Sequence, residues 1–226
     1  MQRNGILARL SRAELEILRP HLEPVSLPRG KQLERRARKI EYVYFLIRGI
    51  ASVVADSNAR GLEVGLIGRE GVTGLASMMG AERAPYEVFM QTEGEAFAIS
   101  ASHLRAGMER SAHLRDVLLR FGHIFQLQVA ATAVAGGRGK IGERLARWLL
   151  MAHDRIEGDA LPVTHEFLAT MLGVRRPGVS EALKLLEKKG LIQTDRRTII
   201  IHDRAGLEKN AFAYGTPEAE YRRLFG

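Results

Sequence analysis

The chain contains no cysteine among its 226 residues. That excludes disulfides, Cys-ligated zinc and Cys-ligated iron–sulfur clusters. No apolar run approaches the roughly 18 residues that a membrane span needs, and the first ten residues hold no signal-peptide core. No membrane partner is therefore expected, and a cytoplasmic location follows by default. Histidine is absent between residues 25 and 99. A cupin-like barrel enzyme would need a His/Glu metal cluster from strands in that region, so catalysis of that kind is not expected. The seven histidines of the whole chain form no close cluster, so a structural role is expected of each, with haem ligation the alternative. There is no Ser/His/Asp set, P-loop or GxGxxG either, and the chain reads as a non-enzyme.

What is present is basic. The net charge is +8, from 34 Lys and Arg against 26 Asp and Glu, which suits a polyanionic partner. The surplus is spread along the chain, so the local distribution carries the argument. Residues 29–39 hold six basic groups, but Leu33, Ala37 and Ile40 interrupt or flank the run, as on a solvated face around a turn.

The expected fold class is α+β: an N-terminal β jelly-roll (double-stranded β-helix) barrel, a long dimerisation helix and a C-terminal winged helix-turn-helix. Residues 7–22 suit a short amphipathic helix with Ser11 as its N-cap. The β-prone segments YVYFLI, IASVVA, LEVGLI, YEVFM and AFAIS then alternate with turn residues, the rhythm of a small barrel. Residues 104–135 lack proline, and Leu114, Val117, Phe121, Ile124 and Gln128 recur in alternating steps of three and four. That is a heptad seam, read here as a homodimer interface with Gln128 setting register. Three glycines in residues 135–139 are expected to break the helix. The expected domains are a sensor barrel (1–103), a dimerisation helix (104–135), a hinge (136–139) and a DNA-binding domain (140–226).

The stretch THEFLATMLGVRRPGVSEALKLLEKKGLIQTDRRTIIIH (residues 164–202) carries the function. Thr164 is a good N-cap, Gly173 permits a left-handed corner, and Pro177 suits the first turn of a second helix. That second helix would enter the major groove by its N-terminal residues. Arg176 is the candidate for a bidentate contact to guanine, and Glu181 for cytosine N4. Arg175 and Ser180 flank them, while Lys184 and Lys188 suit phosphates. Arg196 and Arg197, at the tip of the hairpin, suit phosphates or the minor groove.

With those parts in order, the chain resembles the Crp/Fnr family of bacterial transcription regulators. LATMLGVRRPGVSEALKLLEKKGLI is similar to the family's helix-turn-helix, HDRAGLE to the run after its wing, and YVYFLIRGIASVV to a strand pair of its sensor barrel. The resemblance implies a homodimer on a roughly palindromic double-stranded DNA operator, with RNA polymerase a further candidate partner. It also locates departures. Pro177 stands where the family often has a base-reading Glu, and Glu181 where it often has Arg. Members that bind cyclic AMP carry Gly-Glu and, later, Arg followed by Ser or Thr. Here Gly68, Glu70, Gly71 and Arg83 are the effector candidates, but Glu70 comes one position late and Arg83 is followed by Ala84 and Pro85. These changes argue against cyclic AMP in the usual mode and leave the effector unidentified. The alternative reading is a ligand-sensing module that acts through protein partners, its DNA-binding domain degenerate.

Overall fold

The computed structural model describes residues 3–55 and 61–225. The turn around residues 56–60, expected to join two strands, lies outside the described residues. The first helix, α1 (Arg12–Leu18), starts in a reciprocal box: Ser11 Oγ accepts from Glu14 N at 3.3 Å, and a Glu14 carboxylate oxygen accepts from Ser11 N at 2.7 Å. Ahead of it, the buried Asn4 amide donates to Leu46 O at 2.7 Å and Gly71 O at 2.8 Å and accepts from Ile6 N and Leu7 N. It ties the N-terminal segment to the barrel wall.

The barrel follows as β1 (Glu23–Leu27), β2 (Gln32–Glu34), β3 (Tyr42–Arg48), β4 (Ala51–Ala55), β5 (Leu62–Ile67), a short helix α2 (Leu75–Met78), β6 (Glu87–Met90) and β7 (Gly94–Ser100). Two antiparallel sheets form it, in the orders β1-β7-β3 and β2-β6-β4-β5. Phe45, Leu46, Val53, Ile67, Val88, Met90 and Ile99 are buried in its core. The five β-prone segments named from sequence all lie on strands. The basic run contains β2, with Arg35, Arg38 and Lys39 exposed beyond it.

After the barrel come α3 (Ala101–Arg110), α4 (Ala112–Arg138) and α5 (Ile141–His153). Two expectations are corrected here. The long helix is broken at Ser111, whose hydroxyl accepts from Leu114 N at 3.1 Å and donates to Glu14 at 2.9 Å. A serine can stop a helix by offering its own side chain as the cap of the next. At the other end α4 runs through Gly136 and Gly137 and stops at Gly139. Each glycine costs only about 1 kcal/mol in a helix, which a long helix already nucleated and packed can carry.

The third and larger correction concerns the seam. Leu114, Val117, Phe121, Ile124 and Gln128 are all buried within this chain, against its own barrel. Gln128 Oε1 accepts from Leu66 N at 2.6 Å and its Nε2 donates to Leu66 O at 3.1 Å, so the amide extends the edge of β5 rather than setting a dimer register. Phe121 lies over Gly71, where an added Cβ would stand 2.1 Å from the ring. Gly71→Ala should therefore lose about 1–3 kcal/mol through overpacking, read as a lower urea midpoint. An unchanged midpoint would mean that the helix lifts freely off the barrel. By length and composition α4 could cross a membrane, but its apolar face is a core face.

The remaining elements are β8 (Ala160–Leu161), α6 (His165–Leu172), α7 (Arg176–Lys188), β9 (Ile192–Asp195), β10 (Thr198–Ile201), α8 (Arg204–Asn210) and α9 (Thr216–Phe225). β8 joins the hairpin as a third antiparallel strand, in the order β8-β10-β9.

Candidate nucleic-acid interface and sensor cavity

Thr164 Oγ1 accepts from Phe167 N at 3.2 Å and so caps α6. Leu168, Ala169, Met171 and Leu172 form the buried side of that helix. Gly173 turns the corner at φ +62°, a conformation that costs most residues strain but not glycine. Pro177 falls in the first turn of α7, where a missing N–H leaves nothing unpaired. Val179, Ala182, Leu183 and Leu186 then bury α7 against α5 and α6.

At 100° per residue, Pro177, Glu181, Lys184 and Lys188 share the face opposite that buried stripe. Glu181, Lys184 and Lys188 are exposed there, as are Arg175 and Arg176 at the leading end. Arg176 stands 3.8 Å from Glu166, with both side chains largely in solvent. Such a pair is weak and leaves the guanidinium available. Ser180 is half-buried and hydrogen-bonded to His165 at 3.0 Å, so its hydroxyl bridges the two helices. Arg196 and Arg197 are exposed at the hairpin tip. Glu187 ties the recognition helix to the hairpin, accepting from Thr194 N at 2.8 Å and Thr194 Oγ1 at 3.0 Å. A helix-turn-helix with a basic leading end and a basic wing is thus one rigid unit, the form of a major-groove reader.

The barrel encloses a cavity of about 410 Å³ against α4, lined by Val53, Ile67, Leu75, Met79, Tyr86 and Phe125 among others. Its charged side chain is Glu34, whose carboxyl accepts from Gly74 N at 2.7 Å. Burial pushes that carboxyl up to about 7, with the Gly74 bond opposing. Among the described residues no cation lines this space.

The sequence-named effector residues do not gather there. Arg83 donates to Ala37 O at 2.8 Å on the barrel surface. Gly71 packs under Phe121. Glu70 accepts from Arg155 at 2.8 Å, and Gly68 N donates to Glu70. The lining comes instead from barrel strands, from α4 and from Leu75, Ala76, Met79, Pro85 and Tyr86, the last five in a segment that GLASMMGAERAPY could have signalled by its short helix closed by glycines.

Sequence reasoning also missed the contacts that dock the DNA-binding half on the barrel. Trp148 Nε1 donates to the buried Glu63 of β5 at 2.5 Å. Arg147 donates to Gln128 O at 3.2 Å. Ile50 and Leu66, barrel residues, belong to the hydrophobic core of the C-terminal half. Behind α8, helix α9 returns to the barrel and buries Phe225 there.

This architecture defines a class: a small-molecule-sized barrel cavity joined through a long helix to a winged helix-turn-helix. A family model for a cyclic nucleotide-binding domain matches residues 24–111, and one for a Crp-like helix-turn-helix domain matches residues 143–210. Comparison with curated protein sequences returns no match. Among solved structures the chain is similar to FixK2 from Bradyrhizobium japonicum, with a TM-score of 0.73 and 18% identity over 86% of this chain and 99% of that one. It is also similar to a CRP-family transcriptional regulator from Thermus thermophilus, TTHB099, at 0.69 and 23% over 83% and 96%. The c-di-GMP-responsive regulator CLP of Xanthomonas campestris aligns at 0.65 and 19% over 85% and 99%. The chain belongs to the Crp/Fnr family. It is a DNA-binding transcription regulator with a sensor domain, not an enzyme.

Proposed function

We propose that this regulator is a homodimer that reads a roughly palindromic operator in cytoplasmic DNA, each α7 in one major groove. The observation that carries the reading is the exposed basic leading end of α7, Arg175 and Arg176, held on a packed winged unit. Arg176 is assigned to guanine, Glu181 to cytosine, and Lys184, Lys188, Arg196 and Arg197 to phosphates. Thr164, Ser180 and Arg175 position the helix or its first contacts. RNA polymerase is the second partner proposed, met once the operator is bound.

The dimer face is moved from the buried seam to the other side of α4. Asp116, Leu119, His123, Gln126, Ala130, Ala133 and Gly137 are exposed and also follow alternating steps of three and four. They lie two residues, about 200°, from the buried seam. Leu119 is 40% and the adjacent Val134 47% exposed. Gln126, Ala130 and Ala133 also border the barrel cavity, so a partner helix there would sense its contents. The domain limits proposed are the barrel with α3, the helix α4, a hinge at Gly139–Lys140, and the DNA-binding half from α5 onward. The barrel cavity takes an effector that is neutral and mostly apolar, because a phosphate inside it would face Glu34 and no cation.

Selection of a random duplex pool on the ligand-free protein tests the reading. A palindromic consensus with half-sites about one helical turn apart is expected. On that duplex Arg176→Ala should lose about 1–3 kcal/mol, focused on one base pair. No enrichment with or without cell extract, or a loss spread evenly over all sequences, would sink the direct-readout assignment.

A further inference from the structure

A second hollow, of about 450 Å³, lies outside the barrel where the N-terminal segment meets several other parts of the chain. The barrel supplies Arg69 and Glu70, α4 supplies Phe121 and Ile124, the end of α5 supplies Asp154 and Arg155, and α9 supplies Tyr221 and Arg222. Its carboxylates are already engaged. Glu70 holds Arg155 at 2.8 Å, Asp154 holds Arg204 at 2.7 Å and Tyr214 at 2.8 Å, and Glu218 accepts from Gly215 N at 2.9 Å. Three arginines of the lining, Arg3, Arg69 and Arg222, are exposed and make no ion pair among the described residues. A fourth, Arg9, rests on the Phe225 ring at 5.8 Å. The hollow is therefore cationic at its rim. Its floor is aromatic and apolar, and the Tyr221 hydroxyl overhangs Gly5 so closely that a Cβ there would lie 2.4 Å away.

We propose that this hollow is a second ligand site, which takes a phosphorylated aromatic molecule of nucleotide size. Its phosphates sit among Arg3, Arg69 and Arg222, and its ring lies against Tyr221. Guanidinium groups bind phosphate by paired, charge-assisted hydrogen bonds. The volume is within the range of small-molecule sites. The charge separates it from the barrel cavity, whose one charged lining group among the described residues is a carboxyl. A ligand held by both Arg69 and Arg222 would bridge the barrel and α9. It would therefore favour the docked arrangement of the DNA-binding half and couple to DNA affinity through that preference.

Binding is measured directly, without DNA, so its outcome is independent of the operator reading. The full chain is titrated calorimetrically with adenosine diphosphate, inorganic pyrophosphate and adenosine as separate probes. Adenosine diphosphate should bind at least about tenfold more tightly than either fragment. Arg69→Ala and Arg222→Ala, both at exposed positions that the fold does not need, should each weaken it about tenfold. Glu34→Gln, in the barrel cavity, should leave it unchanged. No heat from adenosine diphosphate at millimolar concentration would overturn the proposal. Pyrophosphate binding as tightly would reduce the site to general anion attraction and overturn it too. So would retention of affinity in both arginine variants, or its loss in Glu34→Gln.

Discussion

Phe225→Ala should lower the stability of the chain by about 3–5 kcal/mol, the usual range for deleting a buried phenyl group. Phe225 is 3% exposed and belongs to the same core cluster as Ile6, Leu7, Phe121 and the barrel strands. Its ring centroid is 5.0 Å from that of Tyr221, and Arg9 covers its face. The residue lies beyond 143–210, the span matched by the helix-turn-helix family model, so the contact belongs to the C-terminal extension of this chain. Through α9 the DNA-binding half is strapped to the sensor half, and the loss of the anchor should be felt in both. Urea unfolding followed by far-UV circular dichroism measures it. A loss under about 1 kcal/mol would mean that α9 does not dock in solution, since a surface phenyl gives little.

Glu63→Gln should raise stability at pH 8 by up to about 3 kcal/mol and leave it nearly unchanged at pH 4. Burial pushes the Glu63 carboxyl up to about 7, against a hydrogen bond from Trp148 and the pull of Arg155 and Arg147. Its second oxygen is buried without a partner. In the unfolded chain the same group ionises near 4.5. Between those values the folded protein retains a proton that the unfolded chain releases, so stability falls as pH rises from about 4.5 to about 7. Glutamine keeps the oxygen that accepts from Trp148 and never ionises. The difference between the two proteins across pH isolates this one group from Glu34, which shifts in the same direction. A difference that does not vary with pH would show that Glu63 is ionised in the folded state, paired more strongly with Arg147 or Arg155 than its surroundings indicate. Because Glu63 is on β5 and Trp148 on α5, the same titration loosens the seat of the DNA-binding half on the barrel.

The helix-turn-helix was legible because its determinants are local. Thr164, Gly173 and Pro177 act within a turn of their own position, and the apolar spacing of α6 and α7 names their buried sides. The barrel strands were legible for a similar reason: short β-prone runs between turns. The seam was only half legible. Spacing in α4 reveals an apolar stripe with heptad steps but not what covers it, and two stripes about 200° apart share that rhythm. The nearer partner, the barrel of the same chain, covers the one with Phe121 and Gln128.

The candidate sites divide along the same line. A regulator's architecture, the recognition helix and its exposed basic groups could be read from the amino-acid order, since these follow from periodicity, caps and side-chain chemistry. Which residues enclose ligand-sized space emerged from three-dimensional packing. Glu70 reads as part of a Gly-rich effector loop until Arg155, 85 residues later, is found on it. Trp148 lies on a periodic apolar face of α5, but no local pattern names its partner Glu63, nor the partners of Tyr221 and Phe225. Their partners are brought to them by the packing of distant elements, and such long-range contacts leave no periodic signal in one chain's sequence.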